Sequence, residues 1–149
     1  MSVEVVKMLR DETGISVMEC KKALEEAGGD RAKALEILKS RAGAAVGKKA
    51  DRTLSAGTVG SYVHSTGEVG AMVLLSCETD FVSKNEEFRT LSRNLAMQVA
   101  AMRPENVSAL LAQPFIKDAS TTVADLVSAA TQKFGERIEI SDINCFSVH

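Results

Sequence analysis

Apolar residues recur at helical spacing in the first run of the chain, Val3–Thr13, which Gly14 ends. A second helix is predicted to begin after Ser16, because Ser16 and Glu19 have the spacing of a capping box that satisfies free backbone donors. This helix runs to about Ala27 and stops at the two glycines that follow, where a left-handed backbone is easily adopted. The apolar stripe of the first helix consists of Val5, Val6 and Leu9.

Asp30 is predicted to cap a third helix that ends before Gly43, with an apolar stripe of Ala34, Leu35 and Leu38. Three helices with such short connections must pack together, and a bundle this small is expected to lean on a neighbour. The periodicity is lost over residues 44–54, which are small and basic, with Lys48, Lys49 and Arg52 close together. We interpret this segment as a solvated linker or a fraying helix end, and a phosphate site is the alternative. The predicted domains are a three-helix module at 1–45, a linker at 46–55 and a second domain at 56–149.

From Ala56 the hydrophobic pattern changes to a period of two, which indicates strands. The residues "GTVGSYVH" alternate, Ser65–Glu68 have turn chemistry, and "VGAMVLLSC" is apolar at nearly every position. We predict a β-hairpin whose second strand is covered on both faces.

The hairpin is followed by the corner "LLSCETDFVSKNEEF", Leu74 to Phe88, which passes from a strand into a helix. Ser83 and Glu86 have capping-box spacing, so the helix is predicted to begin at about Lys84. Phe81 precedes this cap, and its side chain could either staple the helix to the core or project towards a partner. The inward residues of the helix are predicted to be Phe88, Leu91, Leu95, Val99 and Met102.

The last third of the chain is predicted to contain a connector, a helix and a strand. "SALLAQPFIKD" is interpreted as the connector, and a helix follows from about Thr121 to Gly135, with Val123, Leu126, Ala130 and Phe134 inward. In the final strand, "RIEISDINCFSV", the alternation slips between Ile140 and Ile143, which predicts a bulge. The order β-β-α-α-β indicates an α+β domain, with helices on one face of an antiparallel sheet.

Composition narrows the class of protein. The net charge is −2 for 149 residues, so no overall basic field favours nonspecific binding of nucleic acid. No apolar run has the length of a membrane span, and the N-terminal residues do not have the pattern of a secretory signal. Three widely spaced cysteines suit a reducing compartment better than a disulfide scaffold. We therefore expect a cytoplasmic protein.

A nucleophilic pair of Cys77 and His64 is the one catalytic arrangement that the residue types suggest. In an antiparallel hairpin with its turn at 65–68, these residues lie at opposite ends, about 25 Å apart at ~3.3 Å per residue. A dyad needs contact within about 3 Å. None of the common metal, nucleotide or hydrolase motifs occurs. We expect no enzyme, no metal site and no cofactor.

Several longer segments resemble one protein family, elongation factor Ts. These segments are "LRDETGISVMECKKALEEAGGD", "YVHSTGEVG", "CETDFVSKNEEF", "AMQVAAMRPENVS" and "QPFIKD". They follow one another in the family's order and cover nearly the whole chain, whereas any one of them alone would be weak evidence.

The resemblance implies a guanine-nucleotide exchange factor for the GTPase elongation factor Tu, without direct contact to nucleic acid or membrane. It implies that the corner Thr79, Asp80, Phe81 and Val82 enters the GTPase domain, disturbs the region that holds Mg²⁺ and releases GDP. It further implies a ubiquitin-associated-like N-terminal module that contacts the same domain through Arg10, Val17, Met18, Cys20 and Lys21. His64 resembles another contact to the partner. The alternative is an adaptor that binds through the three-helix module and has the corner in its core.

Two segments depart from the family's pattern. Only "ALLA" stands between Ser108 and Gln113, where typical members have tens of residues. Near the end of the chain, "EISDINCF" stands where many members have an apolar strand that carries a pair of arginines. Longer relatives have two copies of the core domain packed sheet to sheet, and this chain has one. The second hairpin strand carries apolar residues on both of its faces, so one apolar face would stay exposed in a monomer. We therefore predict a homodimer joined through the open face of the sheet. The alternative is that the partner protein or the connector at 103–118 covers this face.

Overall fold

The computed structural model describes residues 3–149, which divide into two compact units. The first unit contains residues 3–51 together with Ser128–Glu136. The second contains Arg52–Val127 and Arg137–His149. Helices precede an antiparallel sheet and further helices, which confirms the predicted α+β class.

The first unit is built on three helices, α1 (Val3–Thr13), α2 (Val17–Glu26) and α3 (Arg31–Lys48). The predicted N-caps form: the Ser16 hydroxyl accepts a hydrogen bond from the Glu19 amide at 3.3 Å, and the Asp30 carboxylate accepts from two amides of α3. The other half of the predicted capping box does not form, because the Glu19 carboxylate accepts from the Gln132 side chain at 3.2 Å. Gly14 ends α1 with a φ of +70°. The buried core of these helices consists of Val6, Leu9, Ile15, Cys20, Ala23, Leu24, Ala34 and Leu38.

The third helix is longer than predicted, because it continues through Gly43 and Gly47 to Lys48. A glycine inside a helix costs only about 1 kcal/mol relative to alanine. The neighbouring alanines are strong helix formers, and Ala42 is buried. The first three residues of the segment predicted as a linker are therefore helical.

The second unit contains a three-stranded antiparallel sheet of β1 (Ala56–Val63), β2 (Val69–Cys77) and β5 (Glu139–Ser147), in the order β1-β2-β5. Leu74 pairs with Asp142 and Leu75 with Ile140, so Ser141 is the extra residue of a bulge. The predicted irregularity between Ile140 and Ile143 is thus confirmed.

Helix α5 (Glu86–Met102) covers one face of this sheet. Its predicted inward residues Phe88, Leu95 and Val99 are fully buried, but Leu91 is only partly buried and Met102 is exposed. The helix lies very close to β1, since a Cβ atom added to Gly60 would come within 2.3 Å of the Ser92 carbonyl oxygen. Only a residue without a side chain fits there.

The prediction that β2 is covered on both faces is wrong. Ala71, Val73, Leu75 and Cys77 are buried on the face towards α5, whereas Met72 and Leu74 on the other face are 53% and 38% exposed. The second unit places a helical layer on one face of the sheet only.

The segment predicted as a plain connector is folded. It contains a short helix α6 (Val107–Ala112) and a hairpin of β3 (Pro114–Phe115) and β4 (Asp118–Thr122), and helix α7 (Val123–Phe134) follows. The buried amide of Gln98 in α5 holds the hairpin in place. It donates to the Pro114 carbonyl at 3.1 Å and accepts from the Ile116 amide at 2.9 Å. This contact is between residues far apart in the sequence, so local periodicity could not predict it.

Along residues 3–149, none of the helices is both long enough and apolar enough to cross a membrane.

Candidate functional site

The strand-to-helix corner after β2 contains a separate short helix, α4 (Asp80–Ser83), capped by Thr79. The Thr79 hydroxyl accepts from the Val82 amide at 3.4 Å. The predicted capping box of Ser83 and Glu86 is wrong, because the Ser83 hydroxyl instead donates to the Asp80 carbonyl at 3.1 Å. Asn85 caps α5 and accepts from the Glu87 amide at 2.8 Å. Asn85 directly precedes the first helical residue, so its side chain is better placed for this role.

Two neighbouring apolar residues of α4 have opposite environments. Val82 is 4% exposed and packs into the second unit, whereas Phe81 is 88% exposed. Successive residues of a helix point about 100° apart, so one side chain can enter the core while the next leaves it. The question left open by the sequence is thereby answered: Val82 anchors the corner and Phe81 projects from it.

The backbone of the corner is held by contacts that the sequence did not suggest. The Glu78 carboxylate accepts from the Arg137 amide and, at 3.4 Å, from the Arg52 side chain. The Glu78 carbonyl accepts from the Ser55 hydroxyl at 2.8 Å. In addition, Thr58 of β1 donates to the Ser83 carbonyl at 2.9 Å. Arg52 lies in the basic stretch interpreted as a linker, so its pairing with Glu78 depends entirely on the fold.

The arrangement at the corner suits binding rather than chemistry. Phe81 is a large apolar side chain on a backbone fixed at both ends, and the exposed Asp80 carboxylate lies next to it. A side chain held this way loses little conformational freedom when it docks. The corner therefore presents an apolar projection with an acidic neighbour to whatever surface receives it.

The predicted contacts in the first unit lie on α1 and on the first turns of α2. Val17, Met18 and Lys21 are exposed on α2, and Arg10 is exposed on α1, beside Asp11 at 3.9 Å. Cys20 is fully buried, and its thiol contacts the Ile15 carbonyl at 3.6 Å. Burial raises the pKa of the Cys20 thiol. Cys20 therefore lies in the core of the first unit, behind the exposed side chains of Val17, Met18 and Lys21.

His64 lies apart from the corner. It follows the last residue of β1, its amide donates to the Val69 carbonyl at 2.9 Å, and its ring nitrogen Nδ1 is 3.1 Å from the Tyr62 hydroxyl. Cys77 pairs with Ala56 at the opposite end of the hairpin and is buried. The structure therefore brings Thr79–Val82 together, separates them from His64 along the length of the strands, and excludes a pair of His64 and Cys77.

Comparison with known proteins identifies sequences related to this chain. The family model described as Elongation factor TS matches residues 78–149. The chain is 38% identical to elongation factor Ts of Desulforamulus reducens over 184 residues, which cover 93% of this chain and 85% of the relative. With that of Moorella thermoacetica it shares 38% identity over 180 residues, with 91% and 89% covered. With that of a Nostoc species it shares 41% over 139 residues, with 93% and 44% covered.

The first two alignments are longer than the 149 residues of this chain. Those relatives therefore contain residues that have no counterpart here.

Proposed function

The chain belongs to the elongation factor Ts family of translation elongation factors, and we propose that it is a guanine-nucleotide exchange factor for elongation factor Tu. The observation that carries this proposal is the exposure of Phe81 on a corner whose backbone is held by Glu78 and capped by Thr79. A cytoplasmic location is part of the proposal.

In the proposed mechanism, Phe81 enters the GTPase domain of the partner near its Mg²⁺ site, with Asp80 alongside. Burying a phenylalanine side chain contributes about 1.5–3 kcal/mol to binding. Mg²⁺ requires near-ideal octahedral geometry, so a small displacement of its surroundings loosens it. A factor that binds the nucleotide-free partner more tightly than the GDP-bound partner must weaken GDP binding by the same factor.

The first unit supplies a second contact to the partner through Val17, Met18 and Lys21, with Arg10 and His64 as further contacts. Cys20 and Val82 act indirectly, because their side chains are buried and hold the exposed neighbours in place. An adaptor that binds only through the three-helix unit is the alternative function. It leaves the exposed Phe81 without a role, so we favour exchange.

The decisive measurement is release of a fluorescent GDP analogue from elongation factor Tu. Phe81→Ala should slow release more than tenfold, because truncating an interface anchor costs over ~2 kcal/mol. Asp80→Asn should have a smaller effect. Met102→Ala, which truncates another exposed apolar residue, is the matched control and should exchange normally.

Thermal unfolding separates a folding defect from a binding defect. Phe81→Ala should unfold at the temperature of the unmodified protein, since its side chain makes no core contacts. Normal exchange by a folded Phe81→Ala protein would contradict the mechanism, and loss of cooperative unfolding would show that Phe81 belongs to the core.

We also propose that the protein is a homodimer joined through the open face of its sheet. The cross-strand register places several apolar side chains on one face of the sheet. Val59 pairs with Leu74, and Gly70 of β2 pairs with Val63 of β1 on one side and with Phe146 of β5 on the other. The apolar residues exposed on this face are Val59, Val63, Met72, Leu74 and Phe146. Patches of this kind are unusual on monomers, and a two-fold axis would place each copy's patch on the other.

Sedimentation equilibrium tests the dimer. A chain of about 16 kDa should sediment as twice that mass at micromolar concentration. Leu74→Glu should dissociate the dimer by placing a charge in its centre, whereas Thr90→Glu on the exposed surface of α5 should not. A single 16 kDa species that persists as concentration rises would rule the dimer out.

A further inference from the structure

An open groove of about 740 Å³ runs along the outer edge of β1, beside the beginning of α5. It lies entirely within the second unit, and the exposed side chain of Phe81 does not line it. Its walls are formed by Thr58, Val59, Gly60, Ser61, Lys84, Glu86, Arg89 and Arg93.

The backbone of β1 presents hydrogen-bonding groups to this groove. β1 pairs with β2 on one side only, because the order of strands is β1-β2-β5. The bond from the His64 amide to the Val69 carbonyl fixes the alternation, so the even-numbered residues of β1 bond to β2. The N–H and C=O groups of Gly57, Val59, Ser61 and Val63 therefore point outward. These four residues have no hydrogen-bond partner on that side among residues 3–149.

The strand itself has none of the usual protection against edge pairing. Its eight residues, "AGTVGSYV", include no charged residue and no proline. Long exposed edges of this kind are templates for another strand, and proteins usually block them with charges, proline or a covering element. Among the described residues that line the groove, the charged ones are Lys84 and three residues of α5.

Those charges are mainly positive and uncompensated. Arg89 and Arg93 lie four residues apart on one face of α5, and Lys84 precedes the helix, against the single carboxylate of Glu86. Within residues 3–149, none of the three cations forms an ion pair. The groove thus favours carboxylates on an incoming segment.

The two faces of the sheet then specify the pattern of that segment. A strand added beside β1 would place every second side chain on the face of α5, next to Arg89 and Arg93. The other side chains would lie on the open face and extend the apolar surface of Val59 and Leu74. Side chains alternate along a strand, so the matching sequence alternates acidic and apolar residues.

We propose that the edge of β1 binds an extended segment of a partner protein as a fourth strand, and that this segment alternates acidic with apolar residues. Main-chain hydrogen bonds to Val59 and Ser61 supply affinity, and the basic side chains supply specificity, as in other cases of strand addition. The site differs from the surface proposed for nucleotide exchange, because neither Phe81 nor the exposed residues of the first unit line the groove.

The probe is a fluorescein-labelled peptide of alternating glutamate and valine with about the eight-residue length of β1. Binding should be saturable and should weaken as salt is raised. In amide-detected NMR, the peptide should shift and protect the amides of Gly57, Val59, Ser61 and Val63. A peptide with lysine in place of glutamate, and one with the same residues in two blocks, should each bind at least tenfold more weakly.

Variants of the protein localise the site. Arg93→Glu, an exposed position, should weaken peptide binding at least tenfold without slowing GDP release. Ser61→Pro removes one outward N–H, a change that edge strands tolerate, and should have a similar effect. Lys33→Glu on α3 is the matched control and should bind normally.

Three outcomes would overturn the proposal. Equal binding of the alternating and blocked peptides would show charge attraction without strand pairing. Amide protection elsewhere than on β1 would place the peptide at another site. Displacement by a single-stranded oligonucleotide of equal charge, at equal affinity, would indicate a nucleic-acid groove instead.

Discussion

The two faces of the three-stranded sheet are made by the same strands but have opposite environments. Towards α5, Val73 and Leu75 of β2 are fully buried, and Gly60 of β1, the cross-strand partner of Val73, lies against the helix. On the other face, Met72 and Leu74 are equally apolar in sequence yet remain exposed. The comparison shows that the apolar residues along a strand indicate how many of its faces are suited to burial. The number of faces that are covered depends on which helices or strands pack against the sheet.

The second unit contains one helical layer over this sheet. The surplus of apolar residues on the open face is therefore available to a second copy, and the outer edge of β1 to a further strand. Three substitutions test the difference between the faces. All are best measured in the Leu74→Glu background, so that dimer dissociation does not contribute to the measured stability.

The largest effect is expected for Leu75→Ala. Leu75 is fully buried on the helical face, so the substitution should lower the free energy of unfolding by about 2–5 kcal/mol through lost burial and a residual cavity. Urea denaturation followed by circular dichroism measures the change. A loss below 1 kcal/mol would mean that α5 does not seal this face.

A smaller loss is expected for Gly60→Ala, which adds one methyl group where β1 meets α5. The new Cβ would lie 2.3 Å from the Ser92 carbonyl oxygen, so the helix or strand must shift, at a cost of about 1–3 kcal/mol. The same denaturation assay applies. Ser61→Ala, one residue along β1 and on the open face, is the control and should stay within about 0.5 kcal/mol. An unchanged Gly60→Ala protein would argue against the close approach.

The smallest effect is expected for Met72→Ser on the open face. Met72 is half exposed, so in a monomeric background the free energy of unfolding should change by no more than about 0.5 kcal/mol. In the protein without Leu74→Glu, the same substitution should weaken self-association in sedimentation. A large loss of stability in the monomeric background would reveal cover over this face from within the chain.

The sequence predicted the main elements because their signals are local. Ser16 and Asp30 identify their helices by caps that involve neighbouring amides, and the alternation around residues 56–63 identifies a strand. The slip between Ile140 and Ile143 located the bulge for the same reason. The candidate residues of the corner were identified through resemblance to a family. The comparisons show that the chain belongs to this family.

Where two local signals compete, the sequence was less informative. Serine and asparagine are both capping residues. The capping-box spacing indicated Ser83, whereas the path of the backbone placed Asn85 at the start of α5 and let Thr79 cap a short helix of its own. The hairpin β3–β4 escaped prediction because its strands are short and depend on the buried amide of Gln98, many residues away.

The sequence by itself determined the class of the fold, the order of its main strands and helices, and the family. The tertiary structure decided which of two adjacent apolar residues leaves the core, Phe81 rather than Val82. It also decided that Glu78 fixes the corner through Arg52 and Arg137. These outcomes depend on contacts between residues far apart in the chain, whose distances are set only when the sheet and helices pack, and periodicity within a short window contains no information about them.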